Sequence, residues 1–127
     1  TKIREIVETV KIPVIGNGDV CNLDSLNDIM MQTNCAGVMI ARASMGQPWI
    51  FAELTAKSQQ QPYQIPTPAQ IGEIFIDHIE GLAKLDSEYR AVLQARKMAK
   101  YYARNIIITA QEFSRQAIQC STMHSLI

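Results

Sequence analysis

Twice between Lys11 and Phe51 the chain runs through a short apolar stretch and straight into a turn, and that repeat constrains the fold more than any other feature. Ile12–Ile15 and Gly37–Ala41 are rich in β-branched or large apolar residues and too short to be helices. The first gives way to Gly16-Asn17-Gly18-Asp19, the second to Ala41-Arg42-Ala43-Ser44. Between them, from Leu23 to about Thr33, Leu26, Ile29 and Met30 recur at helical spacing, with Asn22 as N-cap. Strand, helix, strand in that order predicts two parallel strands, buried on both faces. Ligands of such sheets collect at the carboxyl ends of the strands, so the two turns are expected side by side. There they can aim backbone N–H groups at one point, which is what a phosphate needs.

The flanking segments read as helices. Ile3, Ile6, Val7 and Val10 make one amphipathic face over residues 2–10. Met45 to Trp49 leads into a helix expected to start at Pro48 and to end near Lys57. Gln59 to Pro68 holds three prolines and no charge, which predicts an extended linker. Thr67-Pro68-Ala69-Gln70 is a capping box with proline at the first helical position. It opens a helix to about Leu85, with Ile71, Ile74, Phe75, Ile79, Leu82 and Leu85 inward; a second follows from Glu88 to Asn105, with Ala91, Val92, Ala95, Ala99 and Tyr102 inward. Thr109-Ala110-Gln111-Glu112 opens a third helix and Ser121 caps a last one. The expected fold is therefore α/β followed by all-α, divided into residues 1–58, a linker 59–67, and an antiparallel helical bundle 68–127.

Net charge is zero but unevenly spread: residues 88–115 carry six basic and two acidic side chains, residues 59–87 one and four. That asymmetry predicts a local anionic partner rather than a globally basic protein. Cys21, Cys35 and Cys120 have neither metal spacing nor a nearby histidine pair, so they read as reduced thiols in a cytoplasmic protein without a bound metal. No apolar run approaches the roughly 20 residues of a membrane span. The chain begins with Thr inside a helical pattern, and it is read here as the C-terminal fragment of something longer.

Two sets of residues carry the functional expectation. Gly16 and Gly18 are expected to supply positive φ and a close backbone approach to a ligand, which a tight βα connection would also need. Their turn gains weight from its pairing with the Ala41-Arg42 turn on the next strand. The last two βα loops of a (β/α)8 barrel are a recurrent phosphate site, completed by the N-terminus of a short extra helix that Met45–Trp49 is placed to begin. The second set is geometric: Arg90, Lys97 and Arg104 recur at seven residues, with Lys100 between them, on one helix face. Arg96 lies one residue off that line, Tyr89 and Tyr101 are interleaved, and no acid falls between Arg90 and Arg104. Such a face suits a phosphate backbone, with aromatic rings for bases. Trp49 reads as core, and neither His78 nor Cys21 has an evident partner.

Taken together, IPVIGNGDV (12–20), GVMIARASMGQPWIF (37–51) and EYRAVLQARKMAKYYAR (88–104) resemble the C-terminal half of bacterial tRNA-dihydrouridine synthases. The resemblance implies the last two βα units of an FMN-binding (β/α)8 TIM barrel followed by a helical tRNA-binding domain. It implies an enzyme that uses NADPH to reduce FMN, and FMN to reduce the C5–C6 bond of uridines in tRNA. By position, Asn17, Gly18 and Asp19 match the family's first FMN-phosphate turn, and Ala41 and Arg42 the second. Arg96 and Lys97 match an Arg-Lys pair on the RNA side; Met98 stands where His is usual, Tyr101 where Trp is common, and Asn105 where Gly often ends the helix. The family's catalytic cysteine lies in an earlier loop, so no catalytic residue is expected here and the missing N-terminal part of the barrel becomes a partner. Two other readings stand beside this one, an RNA-binding module without chemistry and another FMN barrel oxidoreductase of the dihydroorotate dehydrogenase kind.

Overall fold

The computed structural model of the chain describes residues 1–106 and Thr122, so the helices expected from Thr109 and Ser121 lie outside the described residues, as does Cys120. Helix α1 spans Lys2–Thr9, β1 Ile15–Asn17, α2 Leu23–Thr33, β2 Gly37–Met39, α3 Ile50–Ser58, α4 Pro68–Leu85 and α5 Glu88–Ala103, with a 3-10 turn at Arg42–Ser44. The chain divides into two units. One comprises Thr1–Ser44 and Pro48–Gln64, the other Met45–Gln47 and the chain from Ile65 onward.

In the first unit β1 and β2 pair in parallel, Ile15 opposite Gly37, Gly16 opposite Val38 and Asn17 opposite Met39. Helix α2 is their crossover. Its start is fixed reciprocally: Asn22 Oδ1 accepts from Ser25 N at 2.9 Å and Ser25 Oγ accepts from Asn22 N at 3.1 Å. It ends on Asn34, left-handed at φ 54°, whose N–H reaches Met30 O. Val20, Ile29, Ile50 and Leu54 form the core here, with Leu23, Leu26, Val38 and Ile40 packed against them. Trp49 is buried, as expected of a core residue.

The strands differ from expectation in two ways. Pro13 has no N–H to give, and bonding across to the second strand begins with Ala36 N donating to Val14 O at 2.9 Å. β1 therefore sits three residues later than the apolar run and takes in Gly16 and Asn17. Nor are the strands buried on both faces. Gly16 is buried, yet Ile15 and Met39, diagonal to each other on the other face, are 61% and 50% exposed. Glycine 16 serves packing rather than positive φ: a Cβ there would sit 2.9 Å from Cys35 Sγ and 3.4 Å from Ile29 Cδ1. Helix α3 begins at Ile50 rather than Pro48, and the short helical turn near the second loop is Arg42–Ser44 itself. The first residues of the proline-rich stretch are engaged in closing α3, where Gln61 N donates to Ala56 O at 2.8 Å.

In the second unit, Thr67 and Gln70 form the expected capping box at the start of α4. Phe75 and His78, in the middle of α4, both meet Tyr102 near the far end of α5, which makes the two helices an antiparallel hairpin. Ile71, Phe75 and Ile79 face Ala91, Val92, Ala95, Ala99 and Tyr102 across a dry seam. Leu85 is not inward as expected; it is 86% exposed, because it is the last residue of α4 and the chain turns away at Asp86. Gly46 also belongs to this unit. At φ 75° it lies so close to Tyr101 that a Cβ would come within 2.3 Å of that residue's carbonyl carbon, and Asn105 Nδ2 donates to its carbonyl at 3.1 Å.

Gly16→Ala is expected to cost about 1–3 kcal/mol by overpacking, part of it recovered when Cys35→Ala is added. By contrast Gly72→Ala and Gly81→Ala, inside α4 with nothing within 4 Å of the new methyl, should each gain about 0.5–1 kcal/mol. Urea denaturation of the four variants checks both.

Candidate phosphate cleft and basic helix face

In the first unit, the carboxyl ends of β1 and β2 open into a cleft of about 550 Å³ lined by Asn17, Gly18, Asp19, Val20, Cys21, Ala41, Arg42 and Ala43. All five residues singled out in the two turns are thus brought together at one end of the sheet. The left-handed residue of the first turn is Asp19 at φ 47°, not a glycine; aspartate tolerates this region because its short side chain bonds locally. Its carboxylate pairs with the Arg42 guanidinium, which ties the two turns together across the mouth of the cleft. Both side chains remain largely exposed. The backbone N–H groups of Asp19 and Val20 make no hydrogen bond within the described residues. Behind them lies the amino end of α2, whose dipole favours negative charge. Taken as a whole, the cleft offers bare backbone, a helix start and one guanidinium, balanced by one carboxylate.

Cys21 lines the same cleft, exposed, its sulfur 4.0 Å from Ser25 Oγ. A nucleophilic thiol needs a base beside it, and the unit that holds Cys21 contains no histidine. No group of three His, Cys, Asp or Glu side chains able to hold a metal occurs among the described residues either.

In the second unit, α5 turns its buried seam to α4 and presents Arg90, Lys97, Lys100 and Arg104 to solvent, with Arg96 half-buried. Arg90 reaches back to Asp86 at 3.1 Å. The two tyrosines expected to be interleaved with these cations prove unequal. Tyr101 has its ring engaged, with Lys100 Nζ 4.9 Å and Arg104 Cζ 5.2 Å from the centroid. Tyr89 is 71% exposed and carries no such contact among the described residues.

His78 does have a partner, which sequence spacing could not reveal because it lies 24 residues away. Its Nδ1 is 3.0 Å from the Tyr102 hydroxyl, whose ring also meets Phe75 at 5.0 Å. Burial raises the Tyr102 pKa above its ordinary value, so the phenol keeps its proton. Tyr63 is raised likewise, by burial and then by the Glu53 carboxylate. No described helix is long and apolar enough to cross a membrane.

A family model described as dihydrouridine synthase matches residues 1–126. The chain belongs to that family. A probable tRNA-dihydrouridine synthase of Mycobacterium leprae (strain TN) is 34% identical over 103 residues, covering 80% of this chain and 27% of the relative. The tRNA-dihydrouridine synthase B of Xanthomonas axonopodis pv. citri (strain 306) is 31% identical over 106 residues, 81% of this chain and 31% of the relative. Another probable tRNA-dihydrouridine synthase, from Mycobacterium tuberculosis (strain ATCC 25618 / H37Rv), is 41% identical over 73 residues, 58% of this chain and 18% of the relative. The chain thus spans less than a third of the length of these relatives. As a dihydrouridine synthase chain it carries two features with separate chemistry, a cleft at the strand ends and a cationic helix, each in its own unit.

Exposed ion pairs contribute little, so Asp19→Gly, which removes the pair and suits the left-handed backbone, is expected to change stability by less than about 1 kcal/mol. Asp19→Val puts a β-branched residue at φ 47° and should cost on the order of 1–3 kcal/mol. Thermal melts of both variants test the assignment of the strained position.

Proposed function

We propose that this chain is part of a tRNA-dihydrouridine synthase and supplies the phosphate-holding end of its flavin barrel together with a helical unit that grips tRNA. The observation that carries this reading is the single cleft formed by Asn17, Gly18, Asp19, Ala41 and Arg42 at the carboxyl ends of two parallel strands. These residues fit a phosphate monoester such as that of FMN. Gly18 leaves backbone bare, Asp19 and Val20 have N–H groups to give, and Arg42 brings a fork of donors. Arg42 can turn from Asp19 to a phosphate without leaving solvent, since both side chains are exposed. Held there by Gly18, Asp19, Val20 and Arg42, FMN would supply hydride chemistry between NADPH and the C5–C6 double bond of a uridine. This chain's part is to bind and orient that cofactor; the acid that protonates the uracil ring is assigned to the earlier barrel loop where the family's catalytic cysteine is expected.

The open face of the sheet supports the same reading. Ile15 and Met39 are exposed, and in a closed (β/α)8 barrel the residues of that face would point into the packed interior. The remainder of the barrel, an obligatory partner on this reading, would cover them. The cations of α5, Arg90, Arg96, Lys97, Lys100 and Arg104, are assigned to the phosphates of tRNA. They also weigh against an FMN barrel oxidoreductase acting on a small molecule, which has no use for a cationic helix. Reduced, exposed Cys21 suits the cytoplasm, where tRNA is modified.

Binding of a tRNA transcript, followed by fluorescence anisotropy between roughly 50 and 200 mM salt, tests the RNA half. Affinity should fall steeply with salt, and the Lys97→Ala/Lys100→Ala/Arg104→Ala variant should lower the slope by about two to three charges. Salt-independent binding would count against it. The flavin half is tested separately: expressed alone, the chain should not retain FMN, and a flavin-yellow monomer would contradict the partial-barrel reading. In the complete enzyme Arg42→Ala should weaken FMN binding about tenfold or more, the loss of a charge-assisted contact.

A further inference from the structure

Tyr89 and Leu93, one turn apart on α5, lie on the face that continues through Lys97, Lys100 and Arg104 at steps of four, three and four residues. The face therefore changes character along its length. Its carboxyl half is cationic. Its amino half adds open apolar side chains beside Arg90, whose guanidinium is paired with Asp86: Tyr89 is 71% and Leu93 37% exposed, and Leu85, the last residue of α4, is 86% exposed just before it. Single exposed apolar side chains are ordinary. Three within nine residues, aligned with a row of cations, form a surface that phosphates alone do not use. The two tyrosines of α5's outer side are also in different states. Lys100 and Arg104 hold Tyr101 in cation–π contact, whereas the ring of Tyr89 has no partner among the described residues.

From these observations we infer that Tyr89 is a stacking platform for an unpaired base of the bound RNA, with Leu93 beside it. Tyr101 instead positions the Lys100 and Arg104 cations that meet the backbone. The inference rests on the RNA reading above and deepens it. An unstacked base has an apolar π-face on either side and a charged backbone a few ångströms away, which matches an exposed ring continuous with a row of cations. Double-stranded RNA presents phosphate, sugar and base edges along its length but keeps the base faces inside the stack, so Tyr89 would have no face to receive. The helix thus selects RNA with an open loop, through one end of one face.

The test uses the full chain and two labelled RNAs of equal charge, a hairpin with an unpaired loop and a blunt duplex, with binding read by anisotropy. Tyr89→Ala should weaken the hairpin at least about fivefold, leave its salt slope unchanged and leave the duplex unaffected, while Tyr89→Phe binds like the parent. Lys97→Ala should weaken both RNAs and flatten the slope. Unchanged hairpin binding by Tyr89→Ala, or an equal loss on both RNAs, would overturn the stacking role while leaving the RNA reading intact. A parent chain that binds neither RNA would overturn both. Concentration-dependent self-association that Tyr89→Ala abolishes, read by sedimentation, would assign the face to a second copy and overturn the inference. Matched thermal melts are expected for the three variants, because both side chains, Tyr89 and Lys97, are exposed.

Discussion

The seating of α2 directly on β1 is the contact from which the first unit follows, and it depends on an absent side chain. With hydrogen at position 16, Cys35 Sγ comes down onto the strand at a distance a methyl group would violate, and Ile29 packs beside it. The crossover can then be short, and β2 returns parallel to β1 in a register that brings the two loops to one end. The cleft arises between those loops because both strands stop there. Arg42 and Asp19 close it from the rim, and the amino end of α2 backs it. In this small unit, chain direction does most of the work and side-chain chemistry is added last.

Much of this was legible in the residues, and the reasons are local. Asn22 with Ser25, Thr67 with Gln70, and Ser87 before Glu88 announce helix starts because capping is a short-range hydrogen bond between neighbours. The helical spacing of large residues in 71–79 and of alanines in 91–102 announces the α4–α5 seam because helical period decides which side chains share a face. Less legible were features set by partners distant in sequence. The glycine-rich turn invites a positive φ at glycine, yet the backbone places that strain on Asp19, one residue on. What glycine at 16 is for could be learned only from Cys35, 19 residues away. His78 gave no sign of Tyr102, and Leu85 fits the stripe by period but falls where the helix has run out of a neighbour. The strand was placed early because apolar character does not mark where pairing begins; Pro13 and the partner's register do.

The two units solve different problems with different means. The first shows backbone to a ligand and has few charges to spend on it, so one ion pair and a helix start shape the whole cleft. The second shows side chains, and α5 divides them sharply: small and aromatic toward α4, cationic and aromatic toward solvent. Tyr101 and Tyr102 illustrate how finely position divides roles. Adjacent in sequence and identical in type, one is held by cations at the surface and the other is buried with a histidine and a phenylalanine.

Alanines 91, 95 and 99, each 1% exposed or less, make the inner side of α5 a gauge. Side chains this small leave no slack between the helices, so a bulkier residue at any of the three must lift α5 bodily outward. The lift would travel to the opposite side of the same rigid rod and carry Lys97, Lys100 and Arg104 with it. Interior volume, in this hairpin, is thus converted into surface position, and a change of one methyl group at the seam is felt by a ligand that never touches it.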